Sequence, residues 1–162
     1  LFGGQMAAYA KKHRKVMTKY AVDFAKHGAK STAADFLRAM DVATKMYMTL
    51  GPILEKYDVL VCPTTAIPAV RADFEPTEHP LKINGKQVDL WPIIAWCMTT
   101  PFNTMSRCPV LALPSGHASN GVPTGIQIVG RTYCDADVFR AGMAYETALG
   151  GWYRGKATRP AV

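Results

Sequence analysis

Three short apolar runs edged by proline restrict this chain more than any other feature. They are Asp58-Val59-Leu60-Val61-Cys62-Pro63, Pro109-Val110-Leu111-Ala112-Leu113-Pro114, and Thr124-Gly125-Ile126-Gln127-Ile128-Val129-Gly130, which follows Pro123. Each is too short for a typical helix and too apolar for a loop. Proline offers no ladder N–H, so it marks where a strand stops. The first run is apolar throughout, which predicts a strand covered on both faces, in the middle of a sheet with helices around it. Asn120-Gly121 between the last two runs favours a tight turn, so those two strands are expected to pair antiparallel.

The flanking segments carry helical spacing. Met6, Tyr9, Ala10, His13, Val16, Met17, Tyr20 and Phe24 recur at three and four, which predicts one amphipathic helix closed by a left-handed Gly28. Thr32 and Asp35 form an approximate capping box for a second helix bearing Phe36, Leu37, Met40, Thr44, Tyr47 and Leu50. Gly51-Pro52 should kink or interrupt it. Residues 64–89 form a surface excursion with a hairpin at Asn84-Gly85, and residues 90–98 read as a short buried helix with Pro92 in its first turn. Asp135 is expected to cap a last helix that carries Val138, Phe139, Met143 and Tyr145 and stops at Gly150-Gly151. The predicted architecture is α/β, a mixed sheet flanked by helices. It has a helical front end at 1–56, a strand-bearing core at 57–150 and a tail at 151–162.

With 162 residues, 49% hydrophobic and 19% charged, the chain has enough apolar surface for a core and is neither a disordered tail nor a disulfide-dense mini-protein. Its longest apolar run, 90–98, contains Pro92 and is too short to cross a bilayer, so no membrane is expected. The net charge of +7 is concentrated in residues 1–56, which hold 10 basic and 4 acidic side chains, against 9 and 8 in the rest. A nucleic-acid surface would interleave aromatics with those cations, whereas Tyr9, Tyr20 and Phe24 fall on the apolar stripe, so no nucleic-acid partner is expected. The four cysteines form no Cys-x-x-Cys and most of them read as small core residues, in keeping with a reducing, cytoplasmic setting. No G-x-S-x-G, H-E-x-x-H, phosphate-binding loop or dinucleotide fingerprint occurs, and no metal or cofactor is expected.

The strand runs, taken in order, resemble segments of the amidase signature family. The pieces are Tyr57 through Thr65, Pro101-Phe102-Asn103 leading into Pro109 through Gly116, and Asn120 through Gly130, which is similar to that family's G-x-P-x-G-x-Q-x-x-G element. The resemblance runs from Tyr57 to Glu146. It implies a serine amidohydrolase using a Ser–cis-Ser–Lys triad, whose lysine-bearing segment and Gly/Ser-rich loop do not occur in this sequence. The expectation is therefore the C-terminal portion of an amidase domain with no catalytic residue of its own, and Leu1 in place of an initiating Met fits removal of a preceding part.

The resemblance also implies that the strand-ending Pro-Thr and the segment before Pro-Phe-Asn wall the acyl side of a pocket for a small amide. The matching positions are Thr64, Thr65, Trp91, Ile94, Trp96, Met98, Phe102 and Asn103. Trp91 and Trp96 suit an aromatic or aliphatic acyl group, and Trp96 stands where the glutamine-amidating branch has an acidic residue. Between Asn103 and Pro109 the chain is one residue longer than the family pattern and lacks its glycine. Arg107 there either presents a charge to the pocket rim or pairs with a carboxylate. A sheet of this extent should leave an edge or apolar face open, so a homodimer is expected. The alternative reading is a stand-alone basic binding or oligomerisation module without catalysis.

Overall fold

The computed structural model describes residues 2–88 and 94–150. In chain order the elements are helices α1 (Phe2–His13), α2 (Lys19–Gly28) and α3 (Ala33–Lys56), strand β1 (Val59–Pro63), and the hairpin strands β2 (Lys82–Ile83) and β3 (Lys86–Gln87). Helix α4 (Thr100–Met105), strands β4 (Val110–His117) and β5 (Pro123–Gly130), and helix α5 (Asp135–Ala148) follow. The chain divides into two compact units, Leu1–Lys45 with Ala69–Cys97, and Met46–Pro68 with Met98–Val162. Helix α3 contributes to both. No described helix is long and apolar enough to cross a membrane.

In the first unit, the single helix expected from residue 6 to 24 is broken. A 3-10 turn at Arg14–Val16 and extended backbone at Met17 and Thr18 separate α1 from α2. The break lets α1 fold back on α2, so that Ala7 and Ala10 face Val22, Ala25 and Ala29 across a narrow groove. Small side chains permit that approach, and Ala25 is buried by it. Gly28 ends α2 without a left-handed conformation, since Ala29 continues in right-handed geometry and donates to the Ala25 carbonyl. The hairpin turn is left-handed at both Asn84 and Gly85, at φ 51° and 77°, as a type I′ turn requires.

The capping box forms as expected. The Asp35 N–H donates to Thr32 Oγ1, and Asp35 Oδ2 accepts from the Thr32 N–H at 2.8 Å and from its hydroxyl at 2.7 Å. These bonds, and then Arg38, lower the Asp35 carboxyl from 3.8 to about 2. A value depressed by folding means that the cap is fully in place above the ordinary carboxylate range and is lost as pH falls through about 2. The protection of the Phe36 N–H against hydrogen exchange, relative to the intrinsic rate at each pH, should therefore fall as pH drops from about 4 to about 2, since that amide bonds the Thr32 carbonyl. In Asp35→Asn the protection should not change over this range.

Helix α3 runs unbroken through Gly51-Pro52. A proline late in a long helix forfeits only one backbone bond, and Ala43 before it and Leu54 after it are both buried. At Gly51 a Cβ would lie 3.5 Å from the Tyr47 ring, ordinary contact, so this glycine is not sterically required.

In the second unit, the three expected strands form one sheet in the order β1-β5-β4. Both pairings are antiparallel, with Val61 opposite Ile128 and Leu111 opposite the same residue. The α/β class with flanking helices holds. The central strand, however, is β5 and not β1, which lies at an edge with Val61 53% exposed. Apolarity alone decides neither the coverage of a strand nor its place in the sheet, since no residue of β1 is buried. Gln127 through Gly130 of β5 are all buried. Helix α5 packs on the Leu111 and Ile128 face. It approaches so closely that a Cβ at Gly142 would meet Leu111 Cδ2 at 2.5 Å, and one at Gly130 would meet Val138 Cγ2 at 2.4 Å.

Cys134, and not Asp135, occupies the cap position of α5, and makes no side-chain cap bond. Val138 faces the sheet as expected, while Phe139 and Met143 are exposed. Helix α4, which the residue pattern does not announce, begins around Pro101 and is closed by Ser106 at φ 50°. Of the helix expected at 90–98, residues 90–93 lie outside the described residues, and residues 94–96 form a turn.

Candidate functional site

Chemistry-bearing groups of the second unit gather where β1 ends. The Thr64 N–H donates to the Gly125 carbonyl at 3.0 Å, and Thr64 Oγ1 donates to the same oxygen at 3.1 Å. A Cβ at Gly125 would press on Thr64 Oγ1 at 3.0 Å and on the Leu113 carbonyl at 3.4 Å, so glycine permits this contact. From its other side, the Thr64 carbonyl accepts the Met98 N–H at 3.0 Å.

Beneath this turn lies Gln127, fully buried and polar between Ile126 and Ile128. Its Nε2 donates to the Pro63 carbonyl at 3.0 Å and to the Met98 carbonyl at 2.9 Å. A carboxamide nitrogen carries two N–H groups, and each has an acceptor here. Oε1 is buried with no hydrogen-bond partner among the described residues. Burial raises the neighbouring Cys62 thiol above its ordinary pKa, and the Gln127 amide opposes that rise. Gln127 thus ties the end of β1 to the chain entering α4. From sequence it is only one letter of a motif, and its signal is a lone carboxamide between Ile126 and Ile128.

The structure distributes the expected site residues unevenly. Thr64 and Thr65 follow β1 and are half-buried, Phe102 is half-buried on α4, and Asn103 on the same helix is exposed. Thr64 is joined to the approach to α4 through Met98. Arg107 lies with its guanidinium 5.6 Å from the centroid of the Tyr47 ring, and the Tyr47 hydroxyl is 2.7 Å from Thr132 Oγ1. Trp96, half-buried in the 94–96 turn, belongs to the first unit. Trp91 lies outside the described residues.

Next to Thr65 opens a cleft of about 250 Å³, walled by Pro63, Ile67, Pro68 and Ile126. Three hydroxyls line it, those of Thr65, Ser115 and Thr124, the last two 2.9 Å apart. Ser115 is the extra residue where β4 slips register, since Pro114 faces Gly125 and Gly116 faces Thr124. Gly116, at φ 139°, supplies the backbone geometry that this bulge needs. No histidine, lysine, arginine or carboxylate among the described residues lines the cleft. Its side chains can therefore bind and orient a ligand, and none is suited to relay a proton at neutral pH. Among the described residues there is no cluster able to hold a metal ion.

Comparison with known proteins bears on what this arrangement serves. The amidase family model matches residues 5–139. A glutamyl-tRNA(Gln) amidotransferase polypeptide of Oceanobacillus iheyensis is 33% identical over 115 residues, which make up 71% of this chain and 21% of that protein. An amidase of Pseudomonas putida is 32% identical over 124 residues, covering 72% of this chain and 24% of that protein. Among solved structures, a bacterial aryl acylamidase superposes with a TM-score of 0.74 at 26% identity, over 91% of this chain and 31% of its own. The chain thus spans between a fifth and a quarter of the length of these curated relatives.

Proposed function

Since this chain belongs to the amidase family, we propose that it forms part of a hydrolase that cleaves a small carboxylic amide. The observation that carries this reading is the family match over residues 5–139. In this reading the chain corresponds to the C-terminal portion of an amidase domain. It contributes the β1-β5-β4 sheet and a wall of the substrate pocket, in which Thr64, Thr65, Phe102 and Asn103 take part. Thr64 is positioned for that role by Gly125 and Met98, and Gln127 secures the segment beneath. Arg107, in the same unit, is a further candidate for that wall. The serine pair and lysine that activate the nucleophile and attack the carbonyl come, in this proposal, from polypeptide other than these 162 residues. A homodimer in the cytoplasm completes the reading, with support from the open sheet edge and four free thiols.

Expression from the complete reading frame tests it. That product should release aniline from acetanilide, while residues 1–162 alone should neither do so nor take label from a fluorophosphonate. Labelling of residues 1–162 alone would show that the nucleophile lies within them. Failure of the complete product to hydrolyse any of a panel of neutral amides would remove the hydrolase reading.

A further inference from the structure

We propose that Asn84 is a site of spontaneous modification, where the carboxamide is lost through ring closure with Gly85 and the β2–β3 turn is rebuilt as isoaspartate or aspartate. Asn84-Gly85 and Asn120-Gly121 each sit in an exposed hairpin turn with a left-handed glycine. Glycine has no side chain to shield its nitrogen, and a Cβ at either position would meet nothing within 4 Å. The residue pair and its exposure therefore do not distinguish the two turns. Their hydrogen bonds do.

At Asn120 both reacting groups are engaged. Its Oδ1 accepts the Val122 N–H at 3.2 Å, which holds the carboxamide against an amide one residue beyond the nitrogen it would have to meet. The Gly121 N–H donates to the Ala118 carbonyl at 2.9 Å, and the Ala118 N–H donates to the Val122 carbonyl at 2.9 Å. Strands of 8 residues continue this hairpin on both sides. At Asn84 neither the carboxamide nor the Gly85 N–H has a hydrogen-bond partner among the described residues. Strands of only 2 residues hold that turn, and so short a ribbon opens at little cost. Opening matters, because ring closure needs rotation about the Asn84 Cα–C bond. The closed left-handed turn forbids that rotation and an open hairpin allows it.

The reaction needs only water. Hydroxide takes the Gly85 N–H proton, and the nitrogen adds to Asn84 Cγ. The Cγ–Nδ2 bond then breaks, and ammonia leaves with a proton taken from water, which restores the hydroxide and closes a succinimide ring. Water opens that ring at Cγ to give aspartate, or at the Asn84 backbone carbonyl to give isoaspartate. Aspartate tolerates left-handed backbone and keeps the turn. Isoaspartate routes the main chain through one further carbon, so the turn can no longer place Ile83 opposite Lys86. This modification does not depend on the hydrolase reading.

Peptide mapping by mass spectrometry of the 162-residue chain, held in mildly alkaline buffer and sampled over days, tests the proposal. In the folded chain Asn84 should convert at least about fivefold faster than Asn120. In urea the two rates should come within about twofold of each other, because the bonds that protect Asn120 are gone. Amide NMR should show the Lys82–Gln87 pairing lost in the isoaspartate product and kept in Asn84→Asp. Conversion of Asn120 as fast as that of Asn84 in the folded chain overturns the proposal, as does an Asn84 that stays intact there. A preference that survives unchanged in urea also overturns it, since the hydrogen bonds would then not be its cause. Pairing retained in the isoaspartate product overturns the stated effect on the turn.

Discussion

Gln127→Ala should destabilise the second unit by about 2–4 kcal/mol, read from the midpoint of urea unfolding. The substitution removes two hydrogen bonds and leaves the Pro63 and Met98 carbonyls without their part-buried donor. Against that loss stands one gain, since the unpartnered Oε1 disappears as well. Gln127→Met retains the volume and also deletes that oxygen, so it should cost less than alanine. Gln127→Glu is the sharpest member of the series. A carboxylate there would be buried against two carbonyl oxygens, so at neutral pH glutamate should be the least stable of the three. Faster exchange at the Met98 N–H should accompany each variant, because that amide bonds Thr64 in the same assembly. A glutamate variant as stable as the parent at pH 7 would sink this account of the site.

Gly130→Ala is the second large effect. The new methyl would lie 2.4 Å from Val138 Cγ2 and 3.3 Å from Pro109 Cγ. Val138 is 3% exposed and branched at Cβ, so it has no free rotamer into which to retreat. The expected cost is about 1–3 kcal/mol. Val138→Ala alone leaves a void, yet the pair Gly130→Ala with Val138→Ala should recover much of the loss. A double-mutant cycle would therefore give a favourable coupling energy, and strict additivity would argue against the clash. Gly142→Ala should cost less, because its methyl meets the flexible end of Leu111.

What is legible in the sequence is local. Proline-edged apolar runs mark the three sheet strands, Asn120-Gly121 marks the turn between two of them, Asn84-Gly85 marks the separate β2–β3 hairpin, and Thr32 with Asp35 marks a cap that forms with both bonds. Where expectation and structure part, a partner remote in sequence decides the outcome. The apolar period runs straight through Val16 and Met17, so nothing local announces that α1 folds back on α2 for the sake of their alanine faces. The edge position of β1 depends on which strand takes the centre, and that is a property of the whole sheet. Thr64 and Thr65 are singled out only through the family resemblance of the Pro-Thr-Thr that follows the first apolar run. The role of Gln127 is not legible, because its two acceptors stand 64 and 29 residues away in the chain. The Ser115–Thr124 pair is hidden because it needs the register slip in β4, whose one local sign, Gly116, does not say which residues it brings together.

The edge position of β1 bears on handling of the protein. The strand Val59-Leu60-Val61-Cys62-Pro63 carries no charge, and Pro63 at its end is its sole built-in deterrent to a further strand. Any extended chain that meets this ledge during refolding finds an apolar template with backbone groups to spare. Recovery from denaturant becomes a race between first-order closure of the sheet and second-order capture by another molecule, and dilution decides which one wins.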